Sequence, residues 1–440
     1  MNLIEELRWR GMIQDIMPGT EEQLLKEQTS AYIGFDPTAE SLHIGSLVPI
    51  LLLVHLQKAG HKPYALIGGA TGMIGDPTGK SEERNLLSED VLQRNQNGIK
   101  KQLEKFLAFD ENQPNAAVMV NNYDWFKGMF FLDFIRDTGK HITVNYMMAK
   151  DSVKKRIESD NGISFTEFTY QLIQGYDFYW LYKNHNCKLQ MGGSDQWGNI
   201  TTGAELIRRR TGGEAFAFTC PLLKKADGGK FGKSEKGNIW LDAEKTSPYQ
   251  FYQFWLNAAD DDAKKWIKIF TFLNQEIIES LILTHDSAPE LRLLQKTLAE
   301  HITTFVHGIA GLNQALDSTR KLFEKQNLPV ESLSKEDLET IEGIQKIPYP
   351  LSRLISSTVL EHFLVETNIM PSRGEARKMI LNGGIRINKN KIDYLEIALS
   401  PGMLLHKKYI LVQKGKKNFY LIQIYNDTIQ KDEDYSFFEE

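Results

Sequence analysis

The sequence predicts an α/β fold: a parallel sheet wrapped by helices, then an α-helical segment, then a small α+β unit. Three observations predict it. The runs AYIGF (31–35) and YALIGG (64–69) read as buried strands, and residues 46–59 between them read as a helix closed by Gly60. Strand, helix, strand at that spacing is a βαβ unit, which demands parallel pairing. From about 246 to 335 the pattern turns helical and glycine-poor, as in YQFYQFWLNAADDDAKKWIKIFTFL, and from about 353 a mixed pattern of helix, paired glycines and short strands begins.

Bulk properties set the frame. The 440 residues suffice for two or three domains, and 41% apolar with 25% charged residues is an ordinary soluble balance. A net charge of −5 excludes a protein that is basic throughout, though not one basic domain. Cys187 and Cys220 are far apart and form no CxxC pattern, so they read as small core hydrophobes in a reducing cytoplasm. The N-terminal MNLIEELRWRGMIQDI lacks the basic and apolar blocks of a signal peptide. The longest apolar run, 47–56, contains His55 and falls well short of the roughly 20 residues a bilayer requires. It reads as a buried helix, and no membrane partner is expected.

The elements follow in order. In FDPTAESLHIGS (35–46) a strand ends, a polar turn follows and a helix begins near residues 43–46. Helix N-termini present unpaired N–H groups that suit phosphate; His43 adds a donor, and Gly45 permits close approach. Taken alone, this is either a phosphate site or a βα turn with an incidental histidine. GDPTGKS (75–81) is one residue short of the phosphate-binding loop G-x-x-x-x-G-K-[ST], and Pro77 has no N–H to offer. The glycines of IGGATGMIGDPTG do not give the dinucleotide fingerprint, so no nicotinamide site is assigned. In FTYQLIQGYDF, Tyr170, Gln174 and Asp177 fall at i, i+4 and i+7 on one helix face, either a solvated stripe or a pocket lining. The flanking Tyr176 and Phe178 weigh against solvent. CKLQM reads as a strand, and Asp195 in the following SDQWGN suits a ribose partner. Trp197 reads as packing. Arg208, Arg209 and Arg210 end a helix before Gly212, where they complement its dipole. KKADGGKFGKSEKG (224–237) is too polar and glycine-rich for core, and alone it is a solvated loop. GIQKIPYPLS (343–352) reads as a linker or the approach to a new domain. From 372 to 419 eleven Lys and Arg face three Asp and Glu, a local excess of +8 that marks a phosphate-backbone footprint or a solvated basic face. The acidic KDEDYSFFEE reads as frayed.

HIGS and the distant KFGKS together resemble the paired HIGH and KMSKS signatures of the class I aminoacyl-tRNA synthetases, which activate an amino acid with ATP. YIGFDPTAESLHIG, GGATGMIGDPTGK, NNYDW, VNYMMAKDSV, ISFTEFTYQLIQGYDF, LQMGGSDQWGNI, KFGKS and TSPYQFYQFW, in this order over most of the chain, resemble the bacterial tyrosine-activating branch of that class. LVETNIMPSRGEARKMILNGGIRINKNKI (364–392) resembles the αL-type RNA-binding fold.

The resemblance implies a Rossmann-like catalytic domain over 1–222, a KFGKS loop region over 223–245 and an anticodon-side helical domain over 246–340. An RNA-binding domain over 353–430 and an acidic tail over 431–440 would follow. It implies L-tyrosine, ATP and tRNA(Tyr) as partners in a homodimer whose interface lies near 125–165, where WFKGMFFLDF is rich in apolar residues. Mg²⁺ would arrive with ATP, held mostly by phosphate oxygens and water, and no residue is assigned to a metal. No permanent cofactor is expected. Tyr170 and Gln174, with Asp76, would hold the substrate amino group; Tyr32 and Asp177 would hold the phenol hydroxyl; Gln190 and Gln196 would line the same pocket. Gly34, Asp36, His43, Gly45 and Ser46 would face ATP, as would Gly193, Asp195, Lys233 and Ser234. His43, Thr38, Lys230 and Lys233 would stabilise the transferring phosphate, with Lys80 and Arg84 on the pyrophosphate side. Arg373, Arg377, Lys378 and Arg386 would contact RNA, and Arg208 and Arg209 the acceptor end.

Two departures stand out. Ser46 replaces the motif's second histidine, though a serine can still cap a helix. KFGKS replaces KMSKS, with Gly232 expected to loosen the loop. Two other readings remain: the same fold activating tryptophan, opposed by Tyr32 with Asp177, and an RNA-binding protein without catalysis, opposed by His43 with Lys230 and Lys233.

Overall fold

Six strands form the first sheet, in the order β1-β6-β5-β2-β3-β4. They are β1 (Asp15–Ile16), β2 (Ser30–Phe35), β3 (Lys62–Ile67), β4 (Val118–Asn121), β5 (Cys187–Gly193) and β6 (Phe216–Cys220). Strands β2 to β6 pair in parallel, and β1 lies antiparallel on the β6 edge. The two strands read from the sequence are both present, and the helix between them is α1 (Leu47–Lys58). Its residues from Leu47 to Leu56 are buried apart from Pro49, as the apolar run requires. Burial also pushes the His55 imidazole down to about 3, so it sits neutral inside.

The structure is a computed structural model that describes residues 1–76, 87–158, 162–229, 231–234, 237–323, 333–341, 343–355, 358–415 and 418–427. The chain divides into two units, one of residues 1–246 and 251–308 and another of 247–250 and 309–440. Among the described residues no helix is long and apolar enough to cross a membrane.

Neighbours of β2 are β3 on one side and β5 on the other, so strand order reverses there. In open α/β sheets the crevice beyond the carboxyl ends at such a switch point is where ligands bind. Two helices frame it. Helix α2 (Phe165–His185) starts on a capping box, in which Ser164 and Glu167 bond each other's backbone N–H, and it stops at Asn186 in the left-handed region. Helix α3 (Trp197–Thr211) ends at Gly212 with φ 68, as its sequence predicts. The two cross closely at Gly175 and Gly203: a Cβ on Gly203 would lie 2.9 Å from Phe178 Cβ.

The first unit also contains most of α4 (Pro248–Leu256) and all of α5 (Asp260–Phe270). The helical stretch α6 (Leu293–Phe323) breaks at Gly308, φ 72, where the two units divide.

The second unit holds a five-stranded sheet built from β7 (Gln345–Pro350), β8 (Ile385–Ile387), β9 (Asn390–Ile392), β10 (Tyr409–Lys414) and β11 (Asn418–Tyr425). Its order is β9-β8-β10-β11-β7. Helices α7 (Leu360–Glu366) and α8 (Arg373–Leu381) bury Leu360, Phe363, Leu364, Ala376 and Ile380 in one core with Ile385, Ile410 and Ile422. Of the two readings of residues 343–352, the approach to a new domain holds and the linker does not, since they carry β7. Proline is tolerated on an edge strand, and β7, which contains Pro348 and Pro350, is one, pairing among the described residues only with β11.

Candidate active site

A hydrogen-bond chain runs across the carboxyl ends of β2, β3 and β4. The Tyr170 hydroxyl on α2 donates to Asp36 Oδ2 at 2.9 Å, and the Thr71 hydroxyl donates to Asp36 Oδ1 at 2.7 Å. Asn122 Nδ2 donates to Thr71 Oγ1 and to Asp177 Oδ2, both at 3.1 Å. Trp125 Nε1 completes the chain, donating to Asp177 Oδ1 at 2.8 Å. A second set joins the helices: Gln196 Nε2 donates to Asp76 Oδ2 at 2.7 Å, and Asn199 Nδ2 bridges Gln174 Oε1 and Gln196 Oε1. The polar face of α2 therefore points inward. Tyr170 and Asp177 are buried and Gln174 half-buried, which removes the solvated-stripe reading.

The floor of this region is aromatic. Tyr32, Trp125, Phe178 and Tyr179 belong to one apolar core, where Trp125 stacks on Trp180 at 4.2 Å. Tyr32 and Asp177 are each 1% exposed and Gln190 2%. Tyr32 and Gln190 are register partners across β2 and β5. The Tyr32 hydroxyl and Gln190 Oε1 are buried with no hydrogen-bond partner in the protein. Such atoms are costly unless a ligand satisfies them, so the pair points to a polar group binding within an aromatic slot.

Electrostatics agree. Burial pushes the Asp177 carboxyl up to about 8, overriding the opposite pull of its Asn122 and Trp125 donors. Burial raises both the Tyr32 and Tyr170 phenols, with the Asp177 and Asp36 charges adding to it respectively, so both stay neutral. Partial desolvation and then the Asp76 charge raise Asp195, at the mouth of β5. The Asp177 shift has a consequence for stability. Between the ordinary carboxylate range and about 8 the folded state holds a proton that the unfolded state releases, so this stabilisation is complete at acid pH and is lost as pH rises to about 8. In Asp177→Asn that slope should vanish. Denaturant midpoints at pH 5.5 and 8 should fall with pH less in the variant than in the wild type; parallel changes would contradict the buried neutral carboxyl.

The other half of the site is where the HIGS turn meets the KFGKS segment. His43 is extended and caps a one-turn 3-10 helix, Ile44–Ser46: its Nδ1 accepts from Gly45 N–H at 3.0 Å. In the neutral ring the proton is then on Nε2, making that nitrogen a donor. Ser46, expected as a possible cap, makes no side-chain cap bond, because the turn has already been capped by His43. Residues 42–44 pair with 239–241: Ile44 N–H donates to Ile239 O at 2.9 Å and Leu241 N–H to Leu42 O at 2.9 Å. Ile239 N–H in turn donates to Gly232 O at 3.1 Å. Gly232 is buried, with φ 88, and a Cβ there would meet Ile44 Cγ1 at 3.3 Å. Its left-handed backbone, which favours glycine, is seated against the turn.

The remaining assigned residues fall as follows. Gly34 and Thr38 are exposed at the end of β2 and just beyond, and Gly193 ends β5. Lys80, Arg84 and Lys230 lie outside the described residues; Lys233 and Ser234 pair their backbones with Gly237–Asn238, and their side chains are outside the description. Arg373 and Lys378 are exposed on α8 and Arg386 on β8. Arg377 is tied down, both Nε and Nη2 donating to Glu361 Oε1, which makes it a clamp between α7 and α8. Arg208 donates to both oxygens of Glu205, and Arg209 to Glu205 and the His141 carbonyl. Sequence reasoning gave no role to Thr71, Asn122, Trp125 or Asn199. Asn122 and Trp125 could have been found as polar residues just beyond β4, where this sheet type places its ligands.

Comparison with known proteins gives consistent relatives. A family model described as tRNA synthetases class I (W and Y) matches residues 24–324, and one described as Tyrosine--tRNA ligase SYY-like C-terminal domain matches 341–422. The protein of Bacteroides thetaiotaomicron named tyrosine–tRNA ligase is 58% identical over 96% of this chain and 99% of its own length. The one of Cytophaga hutchinsonii with the same name is 60% identical, at 96% and 99% coverage. Among solved structures, a C-terminally truncated mitochondrial tyrosyl-tRNA synthetase of Aspergillus nidulans superposes with TM-score 0.65 at 31% identity, covering 73% of this chain and 94% of that one.

Proposed function

The chain belongs to the class I tRNA synthetases of the tryptophan and tyrosine type, and on that premise we propose that it is a tyrosine–tRNA ligase. It joins L-tyrosine to ATP as tyrosyl-adenylate, releasing pyrophosphate, and transfers tyrosine to the terminal ribose of tRNA(Tyr). The observation that carries the choice of amino acid is the aromatic slot ending in Tyr32 and Asp177, whose polar groups match a phenol hydroxyl and would be wasted on an indole.

The substrate carboxylate is ionised at neutral pH, so its attack on the α-phosphate needs no general base. It needs positioning, and donors where charge grows on the phosphates. His43 Nε2 is such a donor at the start of a helical turn. Tyr170, Gln174 and Asp76 supply hydroxyl, amide and carboxylate groups for the amino end. Gly34, Gly45 and Gly193 let nucleotide approach the backbone, and Asp195 suits the ribose. Lys230, Lys233, Lys80 and Arg84 would add positive charge, and Mg²⁺ would come bound to ATP.

ATP–pyrophosphate exchange on the purified protein, run with tyrosine, phenylalanine or tryptophan, tests this reading. Exchange with tyrosine alone is expected; preference for tryptophan would keep the fold and overturn the pocket; no exchange from folded protein would overturn catalysis.

The helical residues 246–340 would serve the anticodon side, and 353–430 would bind RNA. With Arg377 occupied, Arg373, Lys378 and Arg386 are the better phosphate partners. Arg373→Ala with Lys378→Ala should weaken tRNA binding and flatten the log K against log[salt] slope by about 1.5; an unchanged slope would remove both from the interface. The helix Phe131–Asp137 and its cap expose Phe130, Phe131, Leu132 and Ile135, an apolar face that a second copy of the chain would cover in a homodimer. A cytoplasmic setting fits Cys187 and Cys220, which are free and buried.

A further inference from the structure

Phe231, the aromatic residue of KFGKS, is half-buried among other rings, although its neighbours in sequence are polar. Its ring stacks on Phe270 at 5.5 Å with 15° between planes, and meets Trp266 edge-on at 5.1 Å. Trp255 and Phe254 close the other sides at 6.0 and 6.2 Å. Trp255, Trp266 and Phe270 are buried, and the four walls come from α4 and α5, outside the sheet that builds the tyrosine slot. A second tether lies a few residues upstream, where Ala226 N–H donates to Asp262 Oδ1 on α5 at 2.9 Å.

The next residue along is Gly232, seated against Ile44 and Gly45 and bonded through its carbonyl to Ile239. From that geometry we infer that Phe231 is a positioning residue for amino-acid activation: its ring, seated among the four aromatic walls, sets where the Phe231–Gly232 backbone lies against the His43–Gly45 turn. Its ring partners lie on α4 and α5 and include none of the tyrosine-slot residues. Its effect passes through Gly232 to the groups that meet phosphate, so it should appear in the chemical step rather than in tyrosine binding. This inference rests on the tyrosine–tRNA ligase reading.

The test is ATP–pyrophosphate exchange by the full-length wild type, Phe231→Ala, Phe231→Met and Phe254→Leu. A misplacement of about 1 Å costs on the order of 100-fold in rate, so Phe231→Ala should lose at least about tenfold in kcat while KM for tyrosine stays within about twofold. Phe231→Met refills the socket with a flexible apolar side chain and should recover most of the loss. Phe254→Leu loosens a half-buried wall, and its effect combined with Phe231→Ala should be less than the product of the two, because both act through one contact. Thermal midpoints of all variants check folding. A Phe231→Ala enzyme with wild-type kcat would overturn the inference. So would a methionine variant as slow as the alanine one, or a rate loss that tracks a rise in tyrosine KM and a fall in midpoint. A wild type without tyrosine-dependent exchange would overturn the functional reading itself, and is distinguishable because it precedes any variant.

Discussion

Replacing His43 with alanine is expected to slow tyrosine-dependent ATP–pyrophosphate exchange by about 10²–10³ while leaving KM for tyrosine within about twofold. The expectation follows from how the ring is held. Gly45 N–H occupies Nδ1, which fixes the proton of the neutral ring on Nε2 and aims a donor from the start of the 3-10 turn. A donor fixed before the reaction costs nothing to reorganise when charge builds on the phosphates, so its removal is felt in the transition state more than in substrate binding. Alanine also removes the acceptor for Gly45 N–H, which is worth about 1 kcal/mol and should lower the melting temperature by only a few degrees. Steady-state kinetics with ATP and tyrosine varied separately check this. A variant within about tenfold of the wild-type rate would remove His43 from phosphate stabilisation.

The second large effect concerns which amino acid is accepted. Asp177→Ala is expected to reduce kcat/KM for tyrosine by roughly ten- to a hundredfold and to leave phenylalanine much less affected, so selectivity collapses from the tyrosine side. The mutation removes the carboxyl proposed to meet the phenol and also leaves Asn122 Nδ2 and Trp125 Nε1 short of a buried acceptor, each at a cost of about 1–3 kcal/mol. Tyr32→Phe isolates the other half of the proposed phenol contact without that collateral loss, because the Tyr32 hydroxyl has no protein partner to abandon. It should therefore lower tyrosine kcat/KM with little change in melting temperature, whereas Asp177→Ala should lower both. Competition between tyrosine and phenylalanine in the exchange assay reads the first effect and thermal unfolding the second. If Tyr32→Phe leaves the preference for tyrosine intact, the hydroxyl does not face the substrate.

What could be read from the sequence depended on how local the cause was. The βαβ start and the buried helix at 47–58 follow from runs of apolar residues, and both are present. The inward face of α2 was ambiguous because spacing gives a shared face without saying which way it points; burial of Tyr170 and Asp177 resolves it. Asn122 and Trp125 escaped because their role depends on β4 lying beside β3, a pairing that periodicity alone does not reveal. Residues 343–352 stayed open between a linker and the approach to a new domain for the same reason: their strand is recognisable only once its pairing is known. Ser46 and Gly232 were judged as departures from a motif, and each proved to depend on a neighbour, His43 for the first and Ile44 for the second.

The edge strand has a further consequence, for the order in which the second unit can assemble. Among the described residues β7 pairs in parallel with β11 and with no other strand, so there Gln345–Pro350 has no strand partner until Asn418–Tyr425 arrives. On a chain emerging N-terminus first, β7 must wait while α7, α8 and the three other strands of its own sheet that precede β11 are made. Contacts of such wide sequence separation close slowly. A product ending before residue 418 would leave both β7 and the free side of β10 unpaired and would expose the apolar side chains that Tyr420 and Ile422 otherwise cover. An interrupted chain would therefore not yield a weaker RNA-binding unit; it would present two open sheet edges, a surface prone to aggregation and proteolysis.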